Sequence, residues 1–323
     1  MKLRFKPLVA ASAVALAMLA ALPAQAAFPF AGLVVFGDSL SDNGNNYIAL
    51  APGVTPAAAI TSNSFIPTYS YAPGFGYPAG VYSNGPVWAT YAATALGIDL
   101  AAAGPSLAGG TNWAYGGAVT GGPAGFPPSL TAQASGYLMS TGNVVPSDHL
   151  YVVAGGGNDA RGALAAIQGG ADVVGTIASV SADYAANIGN IVDALQGAGA
   201  ANIVVWNTPN LGTAPATLAF GDAAAGLATS VAASMNIALA TRLTGEVGVT
   251  TFDLFGLVGA VIADPAAYGL SNVADACIAG ACDAATYLFW DGIHPSTKGH
   301  QLIASAFVAQ VVPEPGTWLM FAV

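Results

Sequence analysis

The sequence carries little charge and very few basic residues. Only 7% of its 323 residues are charged, and six Lys and Arg stand against 16 Asp and Glu. An acidic chain of this kind repels the phosphate backbone of nucleic acids, so we expect no nucleic-acid partner. Hydrophobic residues nevertheless make up 54% of the chain, and 13 Phe, 12 Tyr and 5 Trp are among them. This composition argues against disorder and is sufficient for a full core.

Cysteine and histidine are scarce as well. The histidines are His149, His294 and His300, and the cysteines are Cys277 and Cys282. A metal site needs more ligands than these scattered histidines offer, so we expect no metal and no cofactor. The two cysteines lie five positions apart, which in an exported protein indicates a small disulfide loop. Two free thiols are the alternative.

The N-terminus has the pattern of a secretory signal. Three basic residues in the first six positions precede an apolar run from Leu8 to Leu22, and Ala24–Ala26 has the small-x-small pattern that signal peptidase cleaves. We therefore expect residues 1–26 to be a signal peptide and the protein to be secreted, either to the exterior or to the outer cell envelope. An N-terminal membrane anchor is the alternative. Removal of the signal leaves three basic residues against all 16 acidic ones, a net charge of about −13.

Short apolar runs alternate with helical patterns along the rest of the chain. The runs that predict buried strands are 33–36, 150–153, 203–206 and 249–252. The patterns that predict helices are 86–96, 173–195, 222–243 and 297–310. Strands alternating with helices indicate one α/β domain, residues 27–311, with a parallel sheet covered on both faces. Residues 51–80 and 101–128 have no clear period and are expected to be long loops that line the substrate site or are inert insertions.

Two helix starts are suggested by single residues. Asp172 suits the N-cap of the helix from 173, and Pro86 suits the first turn of the helix from 86.

A possible nucleophile lies directly after the first predicted strand. Ser39 follows Gly37 and Asp38, but a free hydroxyl needs an adjacent base, and alone it is more typical of a turn or a helix cap. His294 lies in a loop three residues after Asp291, which could hold the imidazole. Taken alone, this pair could instead bind a metal or form a surface turn.

The other two histidines are weaker candidates for the base. His300 is expected on the solvated face of the last helix, and His149 is expected in a turn before a strand.

Acyl transfer also needs donors for the developing oxyanion. The backbone amides of Asn112–Ala118, with their paired glycines, are one source, and the side chain of Asn158 in Gly155–Asp159 is another. A glycine turn and a helix N-cap are the respective alternatives.

Together these segments resemble the GDSL, or SGNH, hydrolase family. FGDSLSDNGN matches the nucleophile block at Ser39, NWAYGGA the backbone oxyanion donor at Gly117, GGND the side-chain donor at Asn158, and DGIHP the acid and base at Asp291 and His294. The resemblance covers about residues 32–309 and includes Ser83–Trp88, which is similar to a stretch of larger members. It implies a flavodoxin-like three-layer αβα sandwich with a parallel central sheet, and an esterase or lipase whose acyl-enzyme forms on Ser39.

The resemblance leaves the substrate open. A small-molecule, lipid or carbohydrate ester is expected, with a carbohydrate O-deacetylase as the alternative within the same fold. A non-catalytic envelope or matrix protein is a further alternative, but it would have lost a triad or oxyanion residue, and all five are present.

The tail, 312–323, resembles the opening of a PEP-CTERM sorting signal. Val312-Pro313-Glu314-Pro315 precedes an apolar stretch. In that class a full membrane span and a basic cluster follow, and these are absent before Val323. The signal is therefore either truncated or decayed, and an exosortase-type enzyme is a possible processing partner.

Overall fold

The computed structural model describes residues 30–50 and 81–312. The expected signal peptide, the expected loop 51–80 and the tail after Val312 lie outside the described residues. The strands are β1 Gly32–Gly37, β2 His149–Ala154, β3 Asn202–Trp206, β4 Val249–Phe252, β5 Asn272–Ala276 and β6 Tyr287–Phe289. The helices are α1 Asn45–Leu50, α2 Trp88–Ala95, α3 Leu130–Ser140, α4 Gly157–Gln168, α5 Val173–Gly197, α6 Pro215–Leu218, α7 Asp222–Arg242, α8 Leu254–Ala263 and α9 Thr297–Val311.

The main sheet is parallel, with the strand order β1-β2-β3-β4. Gly32 pairs with His149, and the register continues without a break to Gly37 and Ala154. All four strands expected from the apolar runs are confirmed. A separate parallel pair, β5 and β6, lies near the C-terminus.

Each face of the sheet packs against helices. Val34 and Phe36 of β1 belong to one core cluster, and Leu33 and Val35 belong to the other, because successive side chains of a strand point to opposite faces. The first cluster is closed by α3, α4, α5 and α7, and the second by α2, α8 and α9. The predicted three-layer arrangement is confirmed.

Helix α7 is long and apolar enough to cross a membrane by length and composition. Its side chains that face the sheet are buried in the first core cluster, namely Ala228, Val231, Ala232, Met235 and Leu239. These side chains pack against α5 in the core.

The two predicted helix starts have different outcomes. The Asp172 side chain accepts a hydrogen bond from the Gly175 N–H at 2.7 Å, so Asp172 is the N-cap of α5 as predicted. The prediction for Pro86 is wrong: α2 begins at Trp88, because Val87 keeps an extended backbone with φ −82° and ψ 166°.

The two histidines outside the predicted site are also not where they were expected. His149 opens β2 instead of lying in a turn, and its Nδ1 is 2.9 Å from Asp148 Oδ1. His300 is completely buried, so its placement on a solvated face is wrong. It shares the inner face of α9 with Ile303 and Phe307, at helical spacing.

His300 joins α9 to α2 on the second face of the sheet. Its Nδ1 accepts the Trp88 N–H at 3.2 Å, beside an aromatic cluster in which Trp88 lies 4.2 Å from Trp206 and 5.1 Å from Phe307 between ring centroids. Burial lowers the pKa of His300 to about 3. The folded protein therefore keeps this imidazole neutral, while the unfolded chain protonates it near pH ~6.5.

This shift predicts an acid-dependent loss of stability. As the pH falls below ~6.5, His300 binds a proton in the unfolded state but not in the folded state. The free energy of unfolding of the wild type should therefore fall by roughly 2 kcal/mol between pH ~7.5 and ~5 because of His300. His300→Asn keeps an acceptor for the Trp88 N–H but does not titrate, so this part of the slope should disappear. Urea unfolding at both pH values measures it.

The exposed Gln301→Asn on the same helix is the control and should keep the wild-type slope. Asp38 and Asp42, whose pKa values burial raises, give a slope of the opposite sign, but they do so in all three proteins. Equal slopes for wild type and His300→Asn would contradict the assignment.

Candidate active site

Ser39, His294 and Asp291 form a continuous hydrogen-bonded chain. Ser39 Oγ lies 2.8 Å from His294 Nε2, and His294 Nδ1 lies 2.7 Å from Asp291 Oδ2. All three residues are buried, with only 8% of Ser39 and 3% of His294 exposed. The sequence separation between the serine and the histidine is 255 positions, so the fold brings them together.

A tight turn after β1 presents the serine. The Asp38 carbonyl accepts the N–H groups of Ser41 and Asp42, at 3.0 and 2.9 Å, and the Asp38 carboxylate accepts the N–H of Leu40 at 3.0 Å. Burial raises the pKa of Asp38 to about 6, although the Leu40 N–H and the nearby His294 lower it.

The loop with His294 is organised around its own carboxylate. Asp291 Oδ1 accepts the N–H groups of Ile293 and His294, at 2.9 and 2.8 Å, which leaves Oδ2 for the imidazole. The His294 carbonyl in turn accepts the Trp290 N–H at 2.8 Å. The three-residue spacing therefore fixes the orientation of the ring.

The segment from Ser83 holds this loop from the other side. Ser83 Oγ donates to the Pro295 carbonyl at 2.9 Å, and Asn84 Oδ1 accepts the Thr297 N–H at 2.7 Å. The Ser83–Trp88 segment thus holds the loop that carries His294.

The two cysteines form a disulfide within the segment that connects β5 to β6, and their Cα atoms are 5.4 Å apart. The N–H of Ile278, next to Cys277, donates to the Trp290 carbonyl at 2.8 Å. The disulfide loop is therefore joined directly to the residue that precedes Asp291.

The segment with Gly117 runs alongside the free edge of β1. Val35 donates its N–H to the Thr111 carbonyl at 3.2 Å and accepts the Trp113 N–H at 2.7 Å, and the Gly37 carbonyl accepts the Tyr115 N–H at 3.1 Å. This segment is a short extension of the sheet beyond β1.

Buried polar side chains of the serine block hold this segment in place. Asp42 accepts the Gly116 N–H at 2.9 Å, and Asn45 Nδ2 donates to the carbonyls of Asn112 and Ala114, at 2.8 and 2.9 Å. Asn46 Nδ2 donates to the Gly116 carbonyl. Burial raises the pKa of Asp42 to about 7, although four backbone N–H donors lower it.

Of the three predicted oxyanion donors, Ser39 and Asn158 line the same cavity. Gly117 has a φ of +85°, a conformation that suits glycine, and within the described residues neither its N–H nor that of Ser39 donates a hydrogen bond. Asn158 Nδ2 donates to the Ala118 carbonyl at 2.9 Å and keeps its second hydrogen. A cavity of about 50 Å³ is lined by Ser39, Asn158 and His294, but Gly117 is not part of its wall.

Two further residues at the site escaped the sequence analysis. Gln133 Oε1 accepts the Gly37 N–H and Gln133 Nε2 donates to the Gly37 carbonyl, both at 2.9 Å. The two residues lie 96 positions apart, so no local sequence pattern could predict this contact. Arg161 lines the cavity and directs Nη1 to Asn158 Oδ1 at 3.4 Å. Its rarity in this acidic chain and its place one helical turn after Asn158 were signals that could have found it.

No cluster of three or more His, Cys, Asp or Glu side chains that could hold a metal occurs within residues 30–50 and 81–312. The chemistry that these groups can perform without one is activation of a hydroxyl by an imidazole that a buried carboxylate orients.

Comparison with known proteins points to one family. Residues 33–307 match the family described as GDSL-like Lipase/Acylhydrolase. The chain is 33% identical to Esterase EstA of Pseudomonas aeruginosa and to Esterase EstA of Pseudomonas putida, and each alignment covers 94% of this chain and 50% of the relative. It is 25% identical to a GDSL esterase/lipase of Arabidopsis thaliana, over 86% of this chain and 88% of that protein. The chain thus spans about half the length of the two Pseudomonas esterases it matches.

Proposed function

Because the chain belongs to the GDSL-like lipase and acylhydrolase family, we propose that it hydrolyses carboxylic esters by a serine-based, two-step acyl transfer. The observation that carries the proposal is the chain of contacts from Ser39 Oγ through His294 to Asp291, at 2.8 and 2.7 Å. The esterases and lipases among its relatives support the same reaction class.

In the first step His294 Nε2 removes the proton of Ser39 as Oγ attacks the ester carbonyl carbon. The tetrahedral oxyanion accepts hydrogen bonds from the N–H groups of Ser39 and Gly117 and from Asn158 Nδ2. It collapses to an acyl-serine, and the alkoxide leaves with the proton held by His294. Asp291 keeps the imidazole in one orientation and stabilises its charged form.

In the second step His294 takes a proton from water, and the hydroxide attacks the acyl-serine. The carboxylic acid leaves, and Ser39 recovers its proton from His294. Ser39, His294 and water account for every proton transfer, and water is the only co-reactant.

The nucleophile and the base should act as one unit. Ser39→Ala and His294→Ala are each expected to lower ester turnover by several orders of magnitude, and the double variant should lose little more. A fluorophosphonate probe should label Ser39 in the wild type and nothing in Ser39→Ala. The exposed Ser305→Ala is the control and should retain both turnover and labelling. Label on another serine, or additive losses in the double variant, would contradict this role.

The oxyanion role of Asn158 gives a separate expectation. Asn158→Ala should lower kcat by roughly 10²–10³ with little change in KM, because the lost hydrogen bond forms only in the transition state. Steady-state kinetics on one ester measures the split. Asn202→Ala is the matched control, since Asn202 bonds the Ser147 carbonyl at the opposite end of the sheet. A kcat within threefold of wild type would remove Asn158 from the site.

We also propose that the protein is exported and then processed. The basic and apolar N-terminal pattern supports cleavage after Ala26, and Val312–Pro315 supports a sorting function for the tail. Sequencing both ends of the exported protein tests this: the N-terminus should be Ala27, and a sorted tail should be cut near Pro313–Pro315. An intact Met1 outside the cell would overturn the signal peptide, and an uncut tail would overturn the sorting role.

A further inference from the structure

An apolar groove continues from the cavity around Ser39 along helix α4. It encloses about 160 Å³. Arg161, Leu211 and Ile293 line both the groove and the small cavity that contains Ser39 and His294. The two spaces therefore adjoin one another at these three residues.

The walls of the groove come from one side of α4 and from α6 and α7. Leu164 and Ala165 follow Arg161 at helical spacing, which puts them on one side of α4. The opposite wall includes Ala216 of α6 and Leu227 of α7.

The chemistry of the groove suits a hydrocarbon. Of its described wall residues only Arg161 is charged, and that guanidinium is directed to Asn158 at the reacting end. Phe220 lines the groove but not the cavity around Ser39, and 69% of its surface is exposed. A large aromatic side chain left in water at the mouth of a groove favours an apolar ligand that covers it.

We propose that this groove binds the acyl chain of the ester substrate, and that it selects medium-length linear acyl groups over acetyl. The inference rests on the function proposed above. The carbonyl lies at Ser39, and the chain passes between Leu211 and Ile293 and runs along Leu164 and Ala165. Each methylene buried there removes apolar surface from water and so favours binding. The aliphatic stem of Arg161 adds to the apolar wall while its charged end stays at the site.

A chain-length series with and without a blocked groove tests this. The probes are the nitrophenyl esters of acetate, butyrate, hexanoate and octanoate, and kcat/KM of the wild type should rise with length as far as octanoate. Ala165→Trp introduces a large ring from an exposed position of α4, so the octanoate-to-acetate ratio of kcat/KM should fall by at least ~10-fold while acetate turnover persists.

Ala166→Trp is the matched control. Ala166 is also exposed on α4 but lines a different depression, whose wall includes Asp172 and Asp183, so its variant should keep the wild-type ratio. Circular dichroism establishes that both variants are folded.

The outcomes separate the two proposals. A wild type that cleaves acetate with no gain for longer chains overturns the groove and leaves ester hydrolysis standing. The groove is also overturned when the two tryptophan variants have the same ratio. A folded wild type that cleaves none of the four esters overturns the proposed function, and the groove with it.

Discussion

The buried carboxyl end of β1 is the constraint on which the site depends. The backbone of Gly37 is out of reach of water, and each buried polar group left without a partner there would cost about 1–3 kcal/mol. Gln133 and Tyr115 supply the partners from distant parts of the chain. The same contacts hold the turn that presents Ser39 and the edge segment that leads to Gly117. The hydrogen bonds that pair the buried backbone groups at the end of β1 are therefore the same ones that assemble the site.

Buried carboxylates dominate the electrostatics of the site. Asp38 and Asp42 lie four positions apart in the same turn. Burial raises their pKa values to about 6 and 7, although hydrogen bonds from backbone N–H groups lower them. Asp291 is also fully buried, and its Oδ1 takes two backbone N–H groups. Asp291 Oδ2 contacts the imidazole of His294 at 2.7 Å, and the Asp38 carboxyl group lies close enough to His294 for the imidazole to lower the pKa of Asp38. Arg161 brings a positive charge to the cavity wall, where its guanidinium faces the carbonyl oxygen of the Asn158 amide.

Local patterns predicted the parts of the molecule that local physics determines. The four strands and the start of α5 at Asp172 follow from apolar runs and capping. The three-residue spacing suggested the contact between Asp291 and His294, whereas the meeting of Ser39 with His294 was implied only by the family resemblance. His300 was misplaced because a histidine in a helix was assigned to solvent by type, although its spacing from Ile303 and Phe307 lies on the buried face. Gln133 and the groove along α4 were out of reach, since both depend on contacts between distant segments. The catalytic roles remain proposals that the geometry supports.

The long separation of Ser39 and His294 has a consequence in time. Ser39 directly follows the first strand, but its histidine partner lies just before the last helix described, 255 positions later. Closing so long a loop is entropically unfavourable until the intervening sheet has formed. During synthesis Ser39 leaves the ribosome long before His294 has been made. Under the proposed function, a growing or partly unfolded chain is inert until the segment that carries His294 docks.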